Sequence, residues 1–205
     1  MNSKKYKIKN ADIFVFINII FFLWMCYAVY YDRFIHYRGS AYLWEFFVYA
    51  TLNVIVVIFL WIMFRNFNFP NWLIILVQLS IFMHFAGGLI NIADKRLYDC
   101  LIFNIRYDKY VHFFNSFIGG VFLYKYYFRE LKLNWLIKDF ILIFTVLGIG
   151  ALVEIVEYLV TLTVETNGVG NYDNNLQDLI SNFIGITLFV VTTKLTSIIK
   201  YRKSK

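Results

Sequence analysis

Asp108, His112 and Asn115 lie at i, i+4 and i+7 in the stretch RYDKYVHFFNSFIGG, residues 106–120, so a helix here carries all three on one face. Similar spacings recur in three other segments. Glu154 and Glu157 are one turn apart, Asp178, Asn182 and Gly185 repeat i, i+4 and i+7, and His84 is followed by Gly87, Gly88 and Asn91 at i+3, i+4 and i+7. Carboxylates and imidazoles on adjoining helices suit two kinds of chemistry. They bind a divalent metal through nitrogen and oxygen donors, and His84, His112, Glu154, Glu157 and Asp178 are the candidate ligands. They also carry out general acid/base catalysis, because close carboxylates split their proton affinities and leave one as donor and the other as base. In that scheme Glu154 or Glu157 is the base, His112 is the acid or a ligand, and Asp108 orients it. His84, Asn115, Asp178 and Asn182 line the substrate.

Each residue also has a plainer explanation. A lone His84 suits an interhelical hydrogen bond, Asp108 and His112 suit an interfacial helix start, and Asp178 suits the positive end of a helix dipole. The glutamate pair resists this treatment. Two carboxylates at i, i+3 repel, and each costs about 3 kcal/mol at the centre of a bilayer on insertion scales.

The elements that must position these groups are membrane helices. Of 205 residues, 60% are hydrophobic and 16% charged, and the mean hydropathy is +0.62, well outside the composition of a soluble domain. Six segments approach the roughly 20 apolar residues a span requires: residues 13–31, 41–64, 72–93, 110–128, 135–162 and 179–199. The fold class expected is therefore all-α, one polytopic membrane domain over 1–205 with six spans. The +7 net charge is distributed as a topology signal. With both termini in the cytoplasm, only Arg33, Arg38, Lys95, Arg96, Arg106 and Lys109 of the 20 Lys and Arg fall outside. That distribution accounts for the basic balance without a nucleic-acid partner; membrane lipids are the partners expected. The first span follows Lys4, Lys5, Lys7 and Lys9 but is too long for a signal-peptide core, so it reads as a retained anchor. Cys26 and Cys100 are too few for a disulfide framework.

In this topology the polar stripes of the third to sixth spans all occupy the outer half of the bilayer, and they are expected to converge on one pocket open to the outside. The outer loop VETNGVGNYDNNLQ, residues 164–177, alternates Asp173, Asn175 and Gln177 as in part of a calcium loop, but it lacks the central glycine and terminal glutamate of one. An ordinary surface loop turning at Asn167-Gly168 is the better reading.

MHFAGGLINIADKRLYD (83–99), followed by RYDKYVHFF, EIVEYLV and DLISNFIG, resembles the YjdF-like bacterial inner-membrane proteins and, more distantly, the VanZ-like proteins associated with teicoplanin resistance and the cell envelope. The likeness covers 83–185 and rests on the ordered D-K-x-x-H, E-x-x-E and D-x-x-x-N elements. It implies a multi-pass protein of the bacterial inner membrane and carries over Asp108, His112, Glu154, Glu157, Asp178 and Asn182. Asn171 and Asn174 stand where that pattern has acids, and Tyr158 where it has Trp. Residues and resemblance together favour an envelope-facing enzyme acting on a lipid-linked or amphiphilic substrate, with a divalent metal as possible cofactor. A proton-coupled or small-solute transporter and a non-catalytic scaffold are the alternatives.

Overall fold

The computed structural model describes residues 8–163 and 172–203. By contacts the chain divides into two units, Met1–Ile75 and Leu76–Lys205.

In the first unit, α1 (Asn10–Met25) runs through a π turn (Cys26–Tyr30) into α2 (Tyr31–Arg38), so the first helix is longer at both ends than the expected 13–31. Gly39, at φ 89°, supplies a backbone reversal that side chains resist. After it, a 3-10 turn (Ser40–Tyr42) starts α3 (Leu43–Phe64). Polar contacts gather at the helix ends, as insertion in lipid requires. Asp12 accepts from Trp61 Nε1 at 2.8 Å and Arg65 Nε at 3.1 Å, and Lys9 Nζ donates to the Arg65 carbonyl at 2.9 Å. These contacts set the start of α1 against the end of α3, making the two antiparallel. At the other end Arg38 pairs with Glu45 at 3.2 Å. Between those ends α3 buries no residue, although it is strongly apolar; that is a surface made for lipid.

The division between units falls within α4 (Asn71–Leu89). This helix ends four residues before the expected 93, because the chain turns at once into a hairpin, β1 (Asn91–Ile92) with β2 (Lys95–Arg96). A second hairpin pairs β3 (Leu101–Ile102) with β4 (Ile105–Arg106). The two share one plan ten residues apart. Ala93-Asp94 and Phe103-Asn104 form the turns with positive φ, and Leu97 N–H and Tyr107 N–H close them onto the carbonyls of Ile90 and Cys100. Paired positive φ values mark the type I′ turn that matches strand twist. Asn91 thus lies in a strand, not on the helical face of His84.

α5 (Tyr107–Leu123) continues as a π turn (Tyr124–Phe128), followed by α6 (Trp135–Thr163) and α7 (Tyr172–Lys203). α7 begins seven residues before the expected 179, so Asp173, Asn175 and Gln177 belong to a helix and cannot form the alternating calcium loop; residues 164–171, with Glu165, Asn167, Gly168 and Asn171, lie outside the described part. Close approach of α5 to α7 rests on glycines. A Cβ at Gly185 would stand 2.2 Å from the Phe113 carbonyl oxygen, and one at Gly120 would meet Ile186 at 2.5 Å. Leu142, Val146, Ile186, Phe189 and Phe128 form the buried apolar core where α5, α6 and α7 meet.

Among the described residues five helices are long and apolar enough to cross a membrane: Asn10–His36, Ser40–Phe64, Asn71–Leu89, Trp135–Leu159 and Tyr172–Lys200. The chain is an all-α, multi-pass membrane protein. α5 with its π turn is of similar length but carries Asp108, Lys109 and Lys125. Those charges keep it from standing out by hydropathy.

Candidate functional site

The first turns of α5 and α7 and the C-terminal part of α6 meet in a polar cluster. On α5, Arg106 caps the helix and Asp108, Lys109 and His112 follow within two turns; on α7, Asn174 and Asp178 are one turn apart, an i, i+4 pair. Glu154 faces them from α6. His112 Nδ1 stands 3.7 Å from Glu154 Oε1 and its Nε2 stands 3.4 Å from Asp178 Oδ1. One donor atom from each of His112, Glu154 and Asp178 lies within 4.8 Å of the others. One imidazole and two carboxylates at that separation are a donor set suited to a divalent cation.

Burial makes the set unusual. Asp178 is 1% exposed and Glu154 5%. Asp178 is fully engaged: Oδ1 accepts from Lys109 Nζ at 2.8 Å and Oδ2 from Asn174 Nδ2 at 2.9 Å. Glu154 is the opposite case, since neither of its oxygens has a hydrogen-bond partner among the described residues. Leaving a buried carboxylate without donors costs several kcal/mol, so that position calls for a proton or a cation.

Lys109 is the residue that sequence reasoning missed. Counted as a topology charge and as part of the D-K-x-x-H element but given no role in the site, it is 5% exposed, and its ammonium reaches Asp108 Oδ2 at 3.2 Å, the Asn174 carbonyl and side-chain oxygens at 3.0 and 2.9 Å, and Asp178. Its spacing held the signal. At i−3 from His112 it shares that residue's helix face, where buried carboxylates need a counter-charge. Arg106 extends the network by donating to Asn174 Oδ1 and Asp99 Oδ1, both at 2.7 Å, and Asp99 also holds Arg96 at 2.9 Å. Asp108 faces Lys109 and Arg106; the carboxylate at His112 Nε2 is that of Asp178.

Other candidates lie at differing distances from this centre. Asn182 is buried one turn below Asp178 and accepts from Ser116 Oγ at 2.7 Å. The amide of Asn182 fits against Gly150, where a Cβ would approach to 2.7 Å. Asn115 is exposed and bonds to Ser80 of α4. Glu157 is half-buried and makes no hydrogen bond or ion pair among the described residues. His84 Nδ1 is 2.6 Å from the Tyr98 hydroxyl, which itself reaches the His84 carbonyl at 2.8 Å. A hydroxyl has one proton to give, so it donates either to the carbonyl, with Nδ1–H donating to it, or to a bare Nδ1; in both tautomers Tyr98 occupies the Nδ1 side of the ring. Gly87 makes room for that tyrosine ring, which a Cβ would meet at 2.6 Å. The helix stripes of α5, α6 and α7 therefore meet directly, whereas α4 joins through Ser80, and His84 is engaged by the hairpin segment.

Toward the other ends of α6 and α7, a cavity of about 410 Å³ is lined by residues including Trp135, Lys138, Asp139, Thr193 and Lys194. Lys194 pairs with Asp139 and lies over the Trp135 ring at 3.3 Å. Along the helices the apolar core at Leu142, Val146, Ile186 and Phe189 intervenes between this cavity and the His112 cluster.

Residues 13–197 match the family described as predicted membrane protein (DUF2238), the YjdF family domain. No curated protein and no solved structure matches the chain. The VanZ-like resemblance gains no support from these comparisons.

Proposed function

The chain belongs to the DUF2238 family of predicted membrane proteins, and from that premise we propose that it is a membrane enzyme whose centre is a divalent cation held by His112, Glu154 and Asp178. The carrying observation is Glu154, buried with both oxygens unpartnered among the described residues and facing the other two donors. Charge supports the same reading. Asp108, Glu154, Glu157 and Asp178 bring four negative charges, Arg106 and Lys109 bring two positive ones, and Asp99 cancels Arg96. With all four carboxylates ionised the deficit is two, the charge of a divalent cation; a low-dielectric setting penalises leaving it open, and in the absence of an ion protons on the glutamates would close it.

Such an ion would supply Lewis-acid activation of water or of a polar substrate group. The protein's own part lies around it. Asp178 fixes the imidazole of His112, and Glu157, one turn from Glu154 and outside the three-donor set, is the base for a substrate-derived or water proton. Lys109 is buried and holds Asp178 in place, while Arg106, with 32% of its side chain exposed, offers positive charge to an anionic headgroup. A lipid-linked or amphiphilic substrate fits a polar centre at the outer ends of helices whose remaining surface is apolar. We place the protein in the bacterial inner membrane with six spans, both termini cytoplasmic and the centre outward, because this arrangement leaves only six Lys and Arg outside.

A transporter needs a polar path to the opposite side, and the apolar layer at Leu142, Val146, Ile186 and Phe189 weighs against one. The test is lipid and metal mass spectrometry on wild type and Glu154→Gln purified from native membranes. An amphiphile that accumulates in the variant supports an enzyme, and identical lipid and metal profiles with an unchanged cellular phenotype support a scaffold.

A further inference from the structure

The β3–β4 hairpin carries a run of apolar residues that the described residues of its own unit leave exposed. Leu101 is 66% exposed, Phe103 92% and Ile105 49%, and Ile102 is also exposed. The neighbouring hairpin is the internal comparison, because it has the same length, turn and register but presents Ala93, Asp94 and Lys95 at its tip. Asp and Asn accept a left-handed backbone readily; Phe does not. At φ 50° Phe103 takes the same turn conformation as Ala93 at φ 48°, and that shared turn puts a large aromatic ring at the far end of the second hairpin where the first has a methyl group.

The hairpin is also fixed in place. Tyr110 Oη, in the first turn of α5, donates to the Ile102 carbonyl at 2.9 Å, and Arg106 at the end of β4 is held by Asp99 and Asn174. That anchorage sets the hairpin level with the start of α5, at the depth where a membrane-spanning helix meets headgroups. Aromatic and aliphatic side chains at this depth partition into the interface.

We propose that the β3–β4 hairpin inserts Leu101, Phe103 and Ile105 into the bilayer interface beside α5 and so anchors the helix start that carries Asp108, Lys109 and His112. Its partner is the lipid leaflet itself. The first hairpin, with its polar tip, stays in water. The inference stands on the hairpins alone and does not require the centre to bind metal.

The test places a nitroxide at position 103 or 94 by Phe103→Cys or Asp94→Cys in full-length protein with Cys26→Ser and Cys100→Ser, reconstituted in phosphatidylethanolamine and phosphatidylglycerol vesicles. Collision rates with oxygen and with a water-soluble nickel chelate are then compared. The oxygen-to-nickel ratio is expected to be severalfold higher at 103 than at 94, and equal, nickel-dominated ratios overturn the proposal. Should the cysteine-free background fail to fold, a photo-crosslinking benzoylphenylalanine at position 103 of the otherwise native chain decides the matter. A lipid adduct supports insertion, and a protein adduct or none overturns it.

Discussion

The Lys109 ammonium donates to Asp178 Oδ1 at 2.8 Å, and both residues are more than nine-tenths buried. His112 Nε2 stands 3.4 Å from the same oxygen. The ion pair thus joins α5 to α7 and also sets the carboxylate that faces the imidazole. Removing one partner leaves an uncompensated charge in a dry setting, so Lys109→Met is expected to destabilise the protein by about 3–5 kcal/mol. The double variant Lys109→Met with Asp178→Asn should recover much of that loss. Denaturant titration in detergent micelles checks both, and additive losses would show that the pair is not coupled.

The α5–α7 contact gives a steric prediction. Gly185→Ala sets a methyl group 2.2 Å from the backbone carbonyl oxygen of Phe113, which cannot swing aside. Overpacking of this kind costs about 1–3 kcal/mol. Gly148 is the control, since a Cβ there meets nothing within 4 Å. Gly148→Ala should stabilise by about 0.5–1 kcal/mol through helix propensity. Thermal unfolding should therefore move in opposite directions for the two alanines.

Ser116 and Asn182 test where the centre ends. Ser116→Ala removes the 2.7 Å donor to the buried Asn182 Oδ1, at a cost of about 0.5–1.5 kcal/mol. Neither residue is among the three donors, so bound metal should persist in this variant. Loss of metal at unchanged stability would extend the centre one turn deeper.

The hairpin segment and His84 make a separate prediction. Tyr98→Phe removes the hydroxyl at His84 Nδ1 and the His84 carbonyl, a loss of about 0.5–1.5 kcal/mol per hydrogen bond. Metal content should be unchanged, because His84 lies outside the three-donor group of His112, Glu154 and Asp178. A fall in metal content would return His84 to the ligand set.

Much of this was legible in the sequence, and the reasons for the rest are specific. Long apolar runs and helical spacing located α1, α3, α4, α5, α6 and α7, and the spacing of Asp108, His112, Glu154 and Asp178 put them on faces that meet. Hydropathy cannot show where a helix stops when a type I′ turn follows. That is why α4 runs to Leu89 and not to 93, and why Asn91 lies in a strand. Similarly, the Asn-rich run before Asp178 looks like loop chemistry, yet Asn174 is buried in helix α7 because its amide serves Lys109 and Asp178 at once. Lys109 was hidden by its dual meaning, since a lysine near a span end is ordinarily a topology marker. Orientation of side chains decided the rest: Glu157 has the spacing of a ligand but lies outside the three-donor group.

The central claim is the cation centre, and metal content is its most direct measurement. Protein purified without chelators should carry about one divalent ion per chain by inductively coupled plasma mass spectrometry. Glu154→Gln and His112→Ala should lose it while remaining folded, and Glu157→Gln should keep it. Wild type without metal, or Glu154→Gln with as much as wild type, would contradict the account.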